Sequence, residues 1–228
     1  MFSKTRRTET INRFTRIIHF SQRSGFSFFN RVWKAYTPDS IAHQHQHPEV
    51  FELYQKFRQF NKGNNGGDIG RLLTWCLNIK HVLVNNRVSG DLAEVGVYKG
   101  NSAAILAHYA QHTARTCYLF DTFEGFSRYD TRGSDEHMTL GTFADTSPET
   151  VKAVIGEPAI KATKIIPGHF PTSIPAELAE HKFAVVSLDC DLYQPTLEAL
   201  HWFFTRMDTG ALFMIHDYSS GLWPGTTK

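Results

Sequence analysis

Two short stretches in the last quarter of the chain concentrate side chains that can do chemistry. They are Ser187-Leu-Asp189-Cys-Asp191-Leu-Tyr193 and Ile215-His216-Asp217-Tyr218. Each begins at the end of an apolar run, where an ionisable group is costly to desolvate. One Asp after a strand is ordinarily a cap or a turn residue; two such clusters on strands that a doubly wound sheet makes neighbours favour a functional reading. Asp189, Asp217 and His216 are of types that hold a divalent cation. Asp191 and Tyr193 suit the turn or contact with a substrate hydroxyl.

A second group lies upstream. Glu94-Val-Gly96-Val-Tyr98-Lys-Gly100-Asn-Ser102 sits where a buried strand gives way to a helix. Glycines there let the backbone approach a ligand, and the helix N-terminus favours negative charge. The dinucleotide fingerprint GxGxxG is absent, because Tyr98 stands at the middle glycine. Glu94 suits a ligand with a cationic end, such as an amino-acid ammonium. The next strand ends in Phe120-Asp121-Thr122-Phe123, and an acid at that position can accept both hydroxyls of a ribose. Together Glu94, Gly96, Gly100 and Asp121 describe adenosine with a charged amino-acid tail better than a pyrophosphate.

These groups need elements to position them. From Gly90 onward short apolar runs alternate with helical stretches. Residues 92–97, 117–120, 160–166, 183–188 and 211–215 read as strands. Helices are predicted at 102–112, near 175–180, and after Pro195, the last ending at Gly210. Residues 127–150 are polar and resist assignment. Continuous apolar strands separated by helices predict a parallel sheet covered on both faces, ordered 3-2-1-4-5. Upstream, Pro48 is placed to open a helix, Gly63 to Gly67 reads as a linker, and Asp68 as the cap of a helix carrying Ile69, Leu72, Leu73, Cys76 and Ile79. The chain divides into an N-terminal helical extension, 1–65, and a ligand-binding domain, 66–228.

Composition bounds the rest. With 228 residues, 41% hydrophobic, 20% charged and a net charge of +2, the chain is an ordinary globular domain without a nucleic-acid signature. Three widely spaced cysteines suit a reducing, cytoplasmic setting. No apolar run is long enough to span a membrane. Residues 1–34 carry eight basic side chains against the single acid Glu9, without the apolar core of a secretory signal. Their apolar positions recur at helical spacing. Such helices pack on the domain or on a partner subunit, or lie on an anionic membrane surface; the same composition is that of an organellar transit peptide. His43, His45 and His47 alternate as metal ligands could, although a loop before a helix accounts for them.

The ordered set of motifs resembles the class I S-adenosylmethionine-dependent methyltransferases, and within them the macrocin O-methyltransferase (TylF/MycF) family, which methylates sugar hydroxyls of macrolide antibiotics. The segments that carry the resemblance are 90–103 (GDLAEVGVYKGNSA), 119–126 (LFDTFEGF), 143–151 (FADTSPETV), 166–175 (IPGHFPTSIP), 187–200 (SLDCDLYQPTLEAL) and 215–218 (IHDY). The resemblance implies a Rossmann-like sheet with S-adenosyl-L-methionine as cofactor. Glu94, Gly96 and Gly100 would hold its methionine part and Asp121 its ribose, with Tyr98, Ser102, Thr122 and Phe123 also in the cofactor site. It implies a metal, usually Mg²⁺, among Asp189, His216 and Asp217. His216 stands where many relatives have a second Asp, which admits Mn²⁺, Fe²⁺ or a metal-free site, or a general base.

The implied reaction is methyl transfer to a hydroxyl of a sugar or other polyhydroxylated small molecule, including glycans, with Asp189 and His216 as catalytic residues. Two alternatives stay open: a catechol-type O-methyltransferase, which predicts a lysine where Leu192 stands, and an inactive cofactor-binding scaffold of the same fold. A class I methyltransferase ordinarily adds two further strands after the fifth. Only ten residues follow Tyr218, so the chain is expected to be short by that strand pair, with its edge covered by the N-terminal helices or by a second subunit.

Overall fold

The strands form where apolar runs are long enough to be buried on both faces. A computed structural model of the chain describes residues 47–53, 69–218 and 222–227. Within these, β1 (Asp91–Val95), β2 (Cys117–Asp121), β3 (Thr163–Pro167), β4 (Phe183–Leu188) and β5 (Met207–Ile215) make one parallel sheet in the order β3-β2-β1-β4-β5. Three crossovers contain regular helices: α2 (Asn101–His112) after β1, α3 (Pro148–Ile155) before β3, and α4 (Tyr193–Phe204) after β4. Helix α1 (Ile69–Lys80) precedes the sheet and runs into a π-helical turn, His81–Asn85. Residues 48–53 are helical, as Pro48 predicts.

Side chains alternate across the strands and build a core on each face. Cys117 and Leu119 of β2 join Leu72, Cys76 and Ile79 of α1 and Leu106 of α2; Val50 and Leu53 belong to the same cluster. Tyr118 and Phe120 face the other way, with Phe183 of β4 and Phe203 of α4. Phe120, Phe183 and Phe203 are fully buried. Each such burial contributes roughly 1.5–3 kcal/mol. Phe170 stacks on Phe203 with ring centroids 5.6 Å apart, which draws the turn after β3 against α4.

Several element boundaries differ from the sequence reading: β1 ends at Val95 rather than 97, β5 begins at Met207 rather than 211, and others follow. β3 starts at Thr163 rather than at 160, because residues Ala159–Ala162 form a 3₁₀ turn closed by the Thr163 hydroxyl on the Ala159 carbonyl. The helix expected near 175–180 is a single 3₁₀ turn, Ala176–Leu178. Helix α4 begins two residues before Pro195, which occupies the first turn, where a missing N–H costs nothing. Gly210 does not end that helix. It lies inside β5 at φ 83°, where the register against β4 shifts, so it absorbs a bulge instead of a helix stop. β5 is only partly covered, whereas every residue of β4 is buried. The N-terminal helices, the His43 and His45 positions and the glycine linker lie outside the described residues.

Candidate active site

The C-terminal ends of the strands open into one cavity of about 340 Å³. Its floor is the turn between β1 and α2. Gly96 has φ 83°, and a Cβ there would overlap the Asp189 carbonyl oxygen, so only glycine lets the ends of β1 and β4 meet this closely. Gly100, at φ 87°, precedes α2 and faces Val151 rather than the cavity. Tyr98 lines the cavity, and its hydroxyl donates to Asp145 Oδ1 at 2.8 Å while the Lys99 ammonium reaches Oδ2 at 2.5 Å. Lys99 first, then Tyr98, hold the Asp145 carboxyl below its ordinary range. This clasp ties the glycine turn to the strap before α3.

Asp121 is bound more tightly to backbone than the sequence suggests. Its Oδ2 accepts from the Val97 and Tyr98 N–H groups at 2.7 and 2.9 Å, and its Oδ1 from the Phe123 N–H at 2.7 Å. A carboxylate offers about four acceptor sites, so about one is left for a ligand hydroxyl rather than the two expected. Thr122 and Ser102 line the cavity. Phe123 does not; it packs against the α1–α2 core. Glu94 also lies outside the cavity wall. It is fully buried beneath the floor, where its Oε1 accepts from the Ser187 hydroxyl at 2.9 Å across the β1–β4 pair.

The far wall brings the two acidic strand ends together. His216 Nδ1 lies 2.7 Å from Asp189 Oδ1 and 2.6 Å from Asp217 Oδ2. Asp191 joins them: ligand atoms of Asp189, Asp191, His216 and Asp217 all lie within 4.8 Å of one another. Burial first, then the charge of Asp189 and the hydrogen bond and charge of Asp217, push the Asp191 carboxyl up to about 9. Three carboxylates this close repel one another, and a cation relieves that repulsion. Their oxygen-rich donor set fits a hard divalent ion, with one imidazole nitrogen beside it. From sequence, Asp191 suits the turn or contact with a substrate hydroxyl. It does make the turn, at φ 60°, and the same turn carries its carboxylate into the cluster. The Asp-x-Asp spacing was the signal for it.

Three further features had little signal in the sequence. The Asn101 side chain lines the cavity at the start of α2, and both its amide atoms are buried without a hydrogen-bond partner. His169, in the turn after β3, places Nε2 2.7 Å from Asp130 Oδ1, although 39 positions separate them. Phe126, Phe143 and Trp223 form the roof, with each pair of ring centroids 5.5–5.9 Å apart. All three roof residues lie in stretches without helical or strand periodicity. Tyr98, Phe143, Asp191 and Asp217 hold left-handed backbone at φ 48°, 67°, 60° and 57°. Such strained non-glycine positions cluster at ligand sites.

Comparison with known proteins bears on the family and on the fold. Residues 70–226 match the model of the family described as macrocin-O-methyltransferase (TylF). The chain is 32% identical over 159 residues to a tetracenomycin-C rhamnosyl 4'-O-methyltransferase of Streptomyces olivaceus, covering 64% of this chain and 59% of that protein. It is 27% identical over 157 residues to the mycinamicin III 3''-O-methyltransferase of Micromonospora griseorubida, covering 62% and 61%. The chain thus spans about three fifths of the length of the curated relatives it matches. Among solved structures, the O-methyltransferase NovP superposes with a TM-score of 0.57 at 22% identity, covering 69% of this chain and 68% of that one. The calicheamicin methyltransferase CalS11 superposes with a TM-score of 0.53 at 19% identity, covering 86% and 87%. The structural likenesses carry the fold, and the match over residues 70–226 carries the family: the chain belongs to the macrocin O-methyltransferase (TylF) family.

Proposed function

We propose that this chain is an S-adenosylmethionine-dependent O-methyltransferase acting on a hydroxyl of a sugar or other polyhydroxylated small molecule. The observation that carries this reading is one cavity with a glycine turn on its floor and a carboxylate–imidazole cluster on its wall, joined where Gly96 meets Asp189. The relatives' names, each an O-methyltransferase and two of them specifying a glycosylated compound or a sugar position, support a sugar hydroxyl as acceptor. Leu192, buried in the wall where a catechol-type enzyme is expected to carry lysine, supports an aliphatic hydroxyl over a phenol.

The cofactor supplies a methyl group already activated on a sulfonium. The chain's own task is to hold an oxygen nucleophile in line with that group and to take its proton. Asp121, through its remaining acceptor site, and the glycine turn orient the donor side. On the acceptor side, Asp189 and Asp217 both accept from His216 Nδ1, which fixes Nε2 as the basic nitrogen of the ring. The Asp189–His216 pair takes the hydroxyl proton. In the alternative, metal-assisted form, Asp189, Asp191, Asp217 and a His216 ring nitrogen would instead hold a divalent cation, which would lower the pKa of an adjoining hydroxyl.

Calorimetry with S-adenosylhomocysteine tests the donor side, and absence of binding by the wild-type protein overturns the reading. Transfer of labelled methyl to a panel of glycosides and glycan extracts tests the acceptor. Turnover lost in EDTA and restored by one cation selects the metal-assisted form; turnover retained in EDTA selects His216 alone.

The division at residue 65/66, a cytoplasmic setting, homo-oligomerisation, and contact of the basic N-terminal segment with an anionic membrane surface belong to the same proposal and rest on composition. No helix among the described residues is long and apolar enough to cross a membrane.

A further inference from the structure

Asp135 lies outside the cavity wall and is fully buried. Helix α4 explains its place. The first N–H groups of a helix need acceptors, and Leu192, the residue before α4, has none in its side chain. Asp135 supplies one from 58 positions upstream: its Oδ2 accepts from the Tyr193 N–H at 2.7 Å. A carboxylate there also meets the positive end of the helix. Its Oδ1 is buried without a hydrogen-bond partner. A Cβ at Gly225 would overlap both carboxylate oxygens, so the backbone of that residue lies against them. The side chain is thus wedged between α4 and the 3₁₀ turn Pro224–Thr227.

Both neighbours of the wedge lead into the acidic cluster. Tyr193 stands two residues past Asp191, and the intervening Leu192 is fully buried with its N–H on the Cys190 carbonyl at 2.6 Å. Such a tight turn carries the position of the Tyr193 N–H to the Asp191 carboxylate. On the other side, the Thr226 hydroxyl lies 2.7 Å from the Asp217 carbonyl and 2.8 Å from the Trp223 carbonyl. Trp223 is part of the aromatic roof. Asp191 and Asp217 follow different strands, and Asp135 touches the supports of both.

Resting on the proposed methyl transfer, we infer that Asp135 is a positioning residue for the acidic cluster. By holding the Tyr193 N–H and seating the Gly225 turn, it sets how Asp191 and Asp217 stand around His216. The glycine turn and Asp121 are held by other contacts, so the donor side is left as it is.

NMR of the histidine ring nitrogens in the full chain tests the inference without turnover, with His216 assigned from His216→Gln. Asp135→Ala removes the acceptor and should move the His216 signals. Asp135→Asn keeps an acceptor oxygen for Tyr193 and should leave them near their wild-type places. His181, paired with Asp91 at the opposite end of the sheet, should stay unmoved in both. Turnover with a glycoside that accepts labelled methyl gives the second reading. In Asp135→Ala kcat should fall about 100-fold, as a small misplacement of reacting groups implies, while KM for S-adenosylmethionine stays within about 3-fold. Asp135→Asn should stay within about 5-fold of the wild-type kcat, because it loses only the charge. Gly225→Ala should push the same carboxylate aside and reproduce the loss, and the double variant should be no slower than Asp135→Ala, since both act through one joint. Thermal melting confirms that each variant is folded, and Gly225→Ala takes the place of an Asp135→Ala that is not. Unmoved His216 signals in the folded variant, equal movement in Asp135→Asn or at His181, or an unchanged kcat overturns the inference while the methyltransferase reading stands. Signals that move as expected in a chain that methylates no glycoside overturn that reading and leave the positioning role in place.

Discussion

Two histidine–carboxylate systems share one cavity, and they are built on opposite accounts of charge. At the ends of β4 and β5, His216 lies between Asp189 and Asp217, with Asp191 beside them. Three carboxylates face one imidazole, and Asp191 responds by holding its proton up to about 9. After β3, one carboxylate faces one imidazole, and Ser127 closes the remainder of Asp130. The first arrangement is unbalanced and therefore reactive toward protons and cations. The second is a single pair held by short hydrogen bonds and therefore rigid. A crowd of carboxylates suits a place where bonds change, and a closely bonded pair suits a place that keeps its shape.

The contrast is tested most severely by Asp189→Asn. Removing that charge should lower kcat by about 10³-fold, whereas Asp130→Asn should leave kcat at saturating cofactor within about 3-fold. Equal losses in the two variants would erase the distinction. Gly96→Ala comes next, because the added methyl overlaps the Asp189 carbonyl and φ is unfavourable. A destabilisation of roughly 2–4 kcal/mol is expected, read as a fall in melting temperature of roughly 5–15 °C. A Gly100→Ala control, which meets only Val151 at 3.2 Å, should fall less.

The third test uses pH. Asp191 is raised in the folded chain above its unfolded value of 3.8. The folded state therefore binds more protons between those limits, and the stability this carboxyl confers is complete below about pH 4 and lost as pH rises through about 9. Asp191→Asn should melt above the wild type at pH 8 when no divalent cation is added, and the difference should shrink at pH 4. Added Mg²⁺ or Mn²⁺ should raise the wild-type melting temperature most at high pH; no effect of either would argue for the His216-only form. The smallest effect is expected at the exposed brace of the second pair. Tyr129→Phe loses the hydrogen bond to Glu198 and should move the melting temperature by about 1 °C or less.

The sheet was legible because its strands are buried on both faces and so appear as unbroken apolar runs. Asp121, Asp189, His216 and Asp217 were legible because polar residues at the ends of such runs stand out. What escaped has common causes. Gly210 punctuates a strand as readily as it stops a helix, and only pairing with β4 decides between them. Glu94 sits in the quoted motif, yet its place in the pleat turns it to Ser187 and away from the cavity. Asp135 resembles any loop acid until its Oδ2 is seen capping α4 at the Tyr193 N–H, 2.7 Å away. Asp130 and His169 are distant in sequence, and neither lies on a periodic element. Long-range polar pairing leaves no period to read.

The meeting of Gly96 with Asp189 has a consequence for how such a fold can diversify. Because two backbones touch there, the spacing between donor and acceptor sides is set by the sheet itself and cannot be retuned by loop replacement. The aromatic cover of Phe126, Phe143 and Trp223 carries no such constraint, since its residues come from connecting segments. New acceptors are therefore best sought by exchanging the ceiling while the hearth beneath it is left alone.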